Sequence, residues 1–234
     1  MDKKLNEGAA SLLAEAEKTE KEIIEDRRHI HQNPEVGFYL PDTADYIRKR
    51  LGQMGIASRL VGGAVDRKTR ENFLAAGYED MKVSTGVTAT IGHGSPCILL
   101  RADMDALPMT ETGGLVDFTS NRPGKAHMCG HDSHAAMLLG AARLLKERED
   151  ELKGTVKLMF QPGEECGCGA RLMVEAGVME DPKVDAAFAV HVDPQTEAGK
   201  VVYTSGIMSA AMDTFMVKIQ GKGGHSSTPH LCID

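Results

Sequence analysis

The stretch from His127 to Phe160, HMCGHDSHAAMLLGAARLLKEREDELKGTVKLMF, decides the fold. Roughly residues 132–149 have the pattern of one long helix. Val156–Phe160 is a short apolar run of the kind that forms a buried strand. A helix that leads into a buried strand is the repeating unit of layered α/β domains.

Helices and strands alternate on both sides of this stretch. The other predicted helices cover residues 8–32, 41 to about 52–55, and 169–176. The other predicted strands are Val87–Ile91, Cys97–Leu100 and Val184–Val190. This alternation predicts an α/β layered domain with a largely parallel sheet. Ligands of such sheets bind outside the carboxyl ends of the strands, so we expect the functional site there.

The sequence changes character near Gly206. Asp213–Gln220 alternates like a strand, residues 221–227 form a polar Gly-rich loop, and Thr228-Pro229 has the pattern of a helix start. We therefore expect a metal-binding α/β domain over residues 1–205 and the beginning of a second domain over residues 206–234. A polar stretch at residues 62–86 predicts a short surface helix between strands.

The composition argues against several classes of protein. The 234-residue chain is 41% hydrophobic and 26% charged, which is ordinary for a soluble globular protein. A net charge of -7, no Trp and 4% aromatic residues argue against nucleic-acid binding. Neither a membrane helix nor a secretory signal is expected, because no apolar run is long enough. The five scattered cysteines predict free thiols in a reducing cytoplasm.

A thiol and two imidazoles are concentrated in residues 127–131. Thiolates and imidazoles bind first-row divalent metals such as zinc. Cys129 and His131 are two residues apart, so a regular helix would point them to nearly opposite sides. Because Gly130 separates them, both can face one ion if they lie in a loop or at the entrance of the long helix. The alternative is a buried structural cysteine beside surface histidines.

The adjacent pair Glu164-Glu165 follows a Pro-Gly turn. In an extended segment the two side chains point to opposite sides, so one carboxylate can bind a metal while the other faces the substrate. The second carboxylate would accept a proton from the activated water and pass it to a leaving nitrogen. The alternative is a solvated acidic turn.

Ligand-type residues also follow two other predicted strands. His191 ends the apolar run Val184–Val190, and a buried imidazole is costly unless it is hydrogen-bonded or ligated. Asp103 and Asp105 follow Cys97–Leu100, and one of them is expected to orient a metal-bound histidine. A hydrogen-bonded core histidine and a pair of turn-capping aspartates are the alternatives. Together, three strand ends with ligand-type residues predict one metal site that activates water.

Several motifs together resemble the M20 metallopeptidase and amidohydrolase family. The resemblance is to the branch that contains hippurate hydrolase, N-acyl-amino-acid deacylases and auxin-conjugate hydrolases. The motifs, in chain order, are RRHIHQNPEVGF (27–38), LRADMDALP (100–108), AHMCGHDSHAAMLLGAA (126–142), FQPGEE (160–165), AVHV (189–192) and GKGGHSSTPH (221–230). The resemblance extends essentially from end to end.

The resemblance implies a set of functional residues. The implied ligands of one or two divalent ions (Zn2+, Mn2+, Co2+ or Ni2+) are Cys129, His131, Glu165 and His191. Glu164 would be the general base and acid, and Asp105 would orient the ligands without binding the metal. Asp103 lies where other branches have a ligand histidine. His225 would match a lid-domain histidine that stabilises the oxyanion in a partner subunit's active site, within a homodimer.

The implied function is metal-dependent hydrolysis of the amide bond in N-acyl amino acids or similar small amide conjugates. A dipeptidase or aminopeptidase of the same superfamily, and an inactive metal-binding fragment, remain open alternatives. Family members continue through an inserted α/β-sandwich lid and back into the catalytic domain, which supplies a further ligand histidine. We therefore expect that this chain is C-terminally truncated and lacks that histidine and most of the lid's dimer surface.

Overall fold

Five α-helices, five strands and two single-turn 3-10 helices make up the regular structure of the described residues. The structure, a computed structural model, describes residues 3–75, 77–114, 116–211, 215 and 217–233. The helices are α1 (Lys3–Gln32), α2 (Pro41–Gln53), α3 (Arg67–Ala75), α4 (His131–Glu147) and α5 (Gly169–Glu175). The strands are β1 (Ser58–Val61), β2 (Gly86–Gly92), β3 (Cys97–Asp103), β4 (Thr155–Gln161) and β5 (Ala186–Ala189).

The predicted helices and strands of the first domain are confirmed, with their ends shifted by a few residues. Helix α3 is the short surface helix expected within residues 62–86. Strand β1 was not predicted, because its four residues SRLV show neither a clear alternation nor an apolar run. Among the described residues, no helix combines the length and apolar character that a membrane crossing requires.

The five strands form one sheet in the order β1-β2-β4-β3-β5. Strand β3 pairs in parallel with both β4 and β5. Strand β2 is antiparallel to both of its neighbours, β1 and β4. Four of the five strands therefore point in the same direction, which confirms the predicted α/β domain with a largely parallel sheet.

Helices cover both faces of the central strands. In β4, Leu158 and Phe160 are fully buried in the main core, together with apolar residues of α1, α2 and α4. Met159, which lies between them, points to the opposite face and packs with Met173 of α5 and Val178. Because both faces are covered, polar side chains that serve a site have to project from the ends of the strands.

Strand β5 forms an exposed edge of the sheet. The prediction placed a buried strand at Val184–Val190, whereas β5 covers only Ala186–Ala189 and all four residues are exposed. In the described part of the chain β5 pairs with β3 alone, so its other side has no neighbouring strand. The predicted strand is confirmed, but its burial was wrong, because an apolar run does not reveal which layers cover it.

The chain divides into two compact units, Met1–Val192 and Asp193–Asp234. The second unit contains a short 3-10 turn at Pro229–Leu231, next to the predicted helix start. The predicted strand at Asp213–Gln220 falls partly outside the described residues, and residues 217–220 form no strand because no described segment pairs with them. The division at residues 205/206 and the assignment of residues 206–234 to a lid remain predictions.

Lys157 is buried on the α5 face of the sheet. Its ammonium group donates to the backbone carbonyls of Val178, Glu180 and Pro182 at 2.9, 2.7 and 2.7 Å. Burial lowers the pKa of Lys157 below its ordinary value. Three acceptors match the three N–H groups of an ammonium, so Lys157 fixes the segment that connects α5 to β5.

We predict that Lys157→Met lowers the free energy of unfolding by about 3 kcal/mol, because three backbone carbonyls lose their donor. Urea denaturation monitored by circular dichroism measures the loss. The matched control is Lys153→Met at an exposed position just before β4, which should change the free energy of unfolding by less than about 0.5 kcal/mol. Equal losses in the two variants would show that the three carbonyl contacts contribute nothing.

Candidate metal centre

The candidate residues converge where β3, β4 and β5 end and where α4 begins. Asp103 is the last residue of β3, Glu164 and Glu165 lie three and four residues beyond β4, and His191 follows β5. These three strands are parallel neighbours, so their carboxyl ends lie at the same edge of the sheet.

The entrance of α4 presents Cys129 and His131 to the same side. Gly130 between them has a φ of 89°, a left-handed conformation that favours glycine. Steric packing also requires a glycine here, because a Cβ at position 130 would lie 2.3 Å from Cγ2 of Val192. Helix α4 starts at His131, so the pair lies at a helix entrance, as the sequence predicted.

His131 is fully buried and aims one free nitrogen into the cluster. Its Nδ1 donates to the backbone carbonyl of Asp105 at 2.9 Å, so in the neutral ring the lone pair is on Nε2. No described residue forms a hydrogen bond with Nε2. Carboxylate oxygens of Asp103, Glu165 and Glu164 lie 3.7, 3.8 and 3.9 Å from it. These distances are too long for hydrogen bonds but suit ligands that surround one cation.

Cys129 and His191 face each other across the same space. The Cys129 Sγ lies 3.5 Å from the His191 Nε2. A tetrahedral zinc ion bound to both would separate sulfur and nitrogen by about 3.5 Å, given bonds of about 2.3 and 2.0 Å. Nδ1 of His191 donates to the carbonyl of Val192 at 2.7 Å, which leaves the lone pair on Nε2.

Carboxylates around Cys129 make this site attractive to a cation. Burial, and then the charges of Glu165 and Glu164, raise the pKa of the Cys129 thiol to about 12. A divalent cation beside the sulfur would reverse this effect, because a coordinating thiol loses its proton. The surplus of negative charge therefore favours a cation at this position.

Two overlapping groups of candidate ligands share His131. The first is Cys129, His131 and His191, and the second is His131, Glu164 and Glu165. Within each group the ligand atoms lie within 4.8 Å of one another. Thiolate, imidazole and carboxylate together fit a divalent ion of the zinc type. The structure thus gathers all four ligands implied by the resemblance, together with the implied base Glu164.

A third group combines Asp103, His131 and His134, but His134 already uses both ring nitrogens. Its Nδ1 donates to Asp103 at 2.5 Å and its Nε2 accepts from the backbone N–H of Val192 at 2.9 Å. Burial alone would raise the pKa of Asp103, yet the hydrogen bond from His134 and nearby positive charges hold it below its ordinary value. The Asp103–His134 pair thus anchors the backbone next to His191.

The Asp105 carboxylate holds the turn that carries the two glutamates. Its two oxygens accept the backbone N–H groups of Glu164 and Glu165, each at 3.1 Å. These residues form a turn instead of an extended segment, so both carboxylates approach His131. The predicted orientation to opposite sides was therefore wrong, because Asp105 bends the backbone. The side chains still differ in exposure, 41% for Glu164 against 23% for Glu165.

Two other sets of residues complete the account of the site. His225 lies in the second unit, where its exposed ring pairs through Nδ1 with the Ser227 hydroxyl at 2.7 Å. Sequence reasoning assigned no role to His31, Glu111 and Asp132, which form a network next to His131. His31 and Asp132 are 101 residues apart, and no short-range pattern marks such a pair.

Comparisons with known proteins point to one protein family. Residues 99–232, more than half of the chain, match the sequence model of Peptidase family M20/M25/M40. The IAA-amino acid hydrolase ILR1-like 4 of Arabidopsis thaliana is 44% identical over 211 residues, which are 89% of this chain and 42% of that protein. The N-acetyl-L-cysteine deacetylase of Bacillus subtilis (strain 168) is 41% identical over 217 residues, 92% of this chain and 47% of that protein.

A solved structure of the same family is also similar to this chain. The YXEP protein of Bacillus subtilis, described as a dinuclear metal binding peptidase from M20 family, is 37% identical, with a TM-score of 0.62. The match covers 76% of this chain and 44% of that one. The chain thus spans less than half the length of these relatives.

We predict that Asp105→Asn weakens zinc binding by about 10- to 100-fold, because an amide NH2 would face one of the two N–H groups that Asp105 accepts. Competition with a chromophoric chelator measures the dissociation constant. The control is Asp117→Asn at an exposed position of the loop after β3, which should leave the affinity unchanged. Unchanged affinity in Asp105→Asn would mean that the glutamate turn holds its shape without this carboxylate.

Proposed function

The chain belongs to Peptidase family M20/M25/M40, and on that premise we propose that it is a metal-dependent amidohydrolase that cleaves N-acyl amino acids. The observation that carries the proposal is the buried, unpartnered Nε2 of His131 among the described residues, with carboxylates and a thiol around it. The substrate class is supported by the printed names of the relatives, an IAA-amino acid hydrolase and an N-acetyl-L-cysteine deacetylase.

In this proposal four residues hold one or two divalent ions. They are Cys129, His131, Glu165 and His191. When bound, a divalent cation supplies Lewis-acid chemistry, which acidifies water and polarises the amide carbonyl. The thiolate of Cys129 favours Zn2+, Co2+ or Ni2+ over Mn2+. Support comes from the lone pairs that His131 and His191 direct into the cluster.

We assign the proton transfers to Glu164. Its carboxylate is the more exposed of the pair and lies beside the cluster, so it can reach both the attacking water and the substrate nitrogen. It accepts the proton of the water and then donates it to the departing amine. The backbone N–H of Glu164 donates to the Asp105 carboxylate, and this hydrogen bond keeps Glu164 in position.

Further parts of the proposal rest on the family resemblance and on the thiols. We infer a homodimer in which His225 of one subunit stabilises the oxyanion in the other. We also infer a reducing compartment such as the cytoplasm, since Cys97, Cys129, Cys166, Cys168 and Cys232 are free.

The two glutamates should respond differently to substitution. Glu164→Gln should lower kcat by about 10²- to 10⁴-fold with unchanged metal content, because it removes the proton acceptor. Glu165→Gln should lower the metal content itself. Metal analysis and amide hydrolysis on the same preparations measure both effects. Loss of metal from Glu164→Gln would contradict the division of roles.

The substrate class is tested with N-acetyl and longer N-acyl amino acids against dipeptides, before and after treatment with a chelator. The assay uses the 234-residue chain and any longer product of the same reading frame. We expect metal-dependent release of the free amino acid from the N-acyl series. Preference for dipeptides would indicate a peptidase, and metal binding without any amide cleavage would disprove the enzymatic function.

A further inference from the structure

His31, near the end of α1, is buried and has no part in the proposed reaction. Its Nδ1 lies 2.9 Å from a carboxylate oxygen of Asp132, and its Nε2 lies 3.0 Å from one of Glu111. The ring of Phe118 packs edge-on against it, with the ring centroids 5.1 Å apart. The imidazole is thus enclosed between two acidic side chains.

Both ring nitrogens of His31 act as donors. Each ring nitrogen lies within 3.0 Å of a carboxylate oxygen, Nδ1 of one from Asp132 and Nε2 of one from Glu111. Ionised carboxylates only accept hydrogen bonds, and only the imidazolium form has two N–H groups. The hydrogen bond with Asp132 is the main cause that raises the pKa of His31. This geometry fits an imidazolium at His31 between two ionised carboxylates.

Asp132 connects this cation to the first turn of α4. It directly follows His131, and the same oxygen that contacts His31 also accepts from the Nε of Arg27 at 3.1 Å. The N-cap residue Gly130 has no side chain, and no side-chain hydrogen bond caps this helix start in the described structure. The contacts of Asp132 instead attach this first turn of α4 to α1.

Glu111 connects His31 to the loop that leads from β3 to Cys129. The second oxygen of Glu111 accepts the backbone N–H of Ser120 at 2.8 Å. The Ser120 hydroxyl donates to the carbonyl of Lys125 at 2.7 Å, four residues before Cys129. Through Glu111, His31 thus holds the loop that precedes Cys129–His131. Through Asp132, it holds the helix that begins at His131.

We propose that His31 is a positioning residue for the metal centre: its imidazolium joins Glu111 to Asp132 and so holds Cys129 and His131 in place to bind the ion. The inference rests on the metal site of the proposed function. Without the cation, two largely buried carboxylates would face one another, and their repulsion would separate the loop from the helix.

The first test compares zinc affinity in His31→Gln and His29→Gln by competition with a chromophoric chelator. His29 is on the same helix, is exposed and stacks on Tyr46 with ring centroids 3.9 Å apart, so its loss does not touch α4. We expect His31→Gln to weaken zinc binding by about 10- to 100-fold and His29→Gln by less than about threefold. Equal affinities for His31→Gln and the unchanged chain, or equal losses in both variants, would overturn the proposal.

The second test asks whether His31 acts through Asp132. Zinc affinity is measured for Asp132→Asn and for the double variant with His31→Gln. Because the two residues are in contact, the double variant should lose about as much affinity as the weaker-binding single variant. Losses that multiply would show that His31 acts independently of Asp132 and would contradict the proposed connection.

If the variants do not fold, the inference can be tested on the unchanged chain. Nitrogen NMR of histidine-labelled protein measures whether the ring nitrogens are protonated. We expect both ring nitrogens of one buried histidine, His31, to be protonated at neutral pH, and a neutral His31 would overturn the proposal. The outcomes distinguish a failure of the His31 proposal from a failure of the proposed function. A chain that binds no zinc contradicts both, whereas zinc binding with the expected His31 effect but without amide cleavage contradicts the enzymatic function alone.

Discussion

The contacts made by Asp105 determine the geometry of the whole cluster. Its side chain holds the N–H groups of Glu164 and Glu165, and its backbone carbonyl fixes the ring of His131. One residue therefore sets both the position of the carboxylates and the tautomer of the central imidazole. Asp105 is buried and lies two residues beyond the end of β3, so the sheet holds its backbone in place. A ligand oriented in this way loses little freedom when an ion binds.

Charge is the second constraint on the site. The side of His131 that faces the cluster is strongly acidic, because it lies close to the carboxylates of Asp103, Asp105, Glu164 and Glu165. On the far side of the same segment, Arg27 and His31 neutralise Asp132. Asp103 also has a cationic partner, Arg101 at 2.8 Å, so Glu164 and Glu165 supply most of the negative charge that a metal ion beside His131 would meet.

The sequence predicts those features that depend on short-range pattern. Apolar periodicity located the helices and central strands, and Gly130 between Cys129 and His131 pointed to a helix entrance. Features that depend on distant contacts could not be read in this way. The bend at Glu164 and Glu165 is imposed by Asp105, which lies about sixty residues earlier in the chain. The exposure of β5 depends on which segments flank the sheet, and periodicity carries no information about that.

The ligands differ in how firmly the fold holds them. His131 is fully buried at the start of a core helix, whereas His191 is exposed and follows the edge strand β5. The contact from His134 to Val192 joins the backbone beside His191 to that core helix. An ion bound by both histidines would connect the edge of the sheet to its interior. An ion that binds the folded chain but not the unfolded chain stabilises the fold by mass action. This stabilisation would act mainly on the edge of the sheet at β5. An ion at this candidate site would therefore also be a structural connection between the rigid and the exposed part of the first unit.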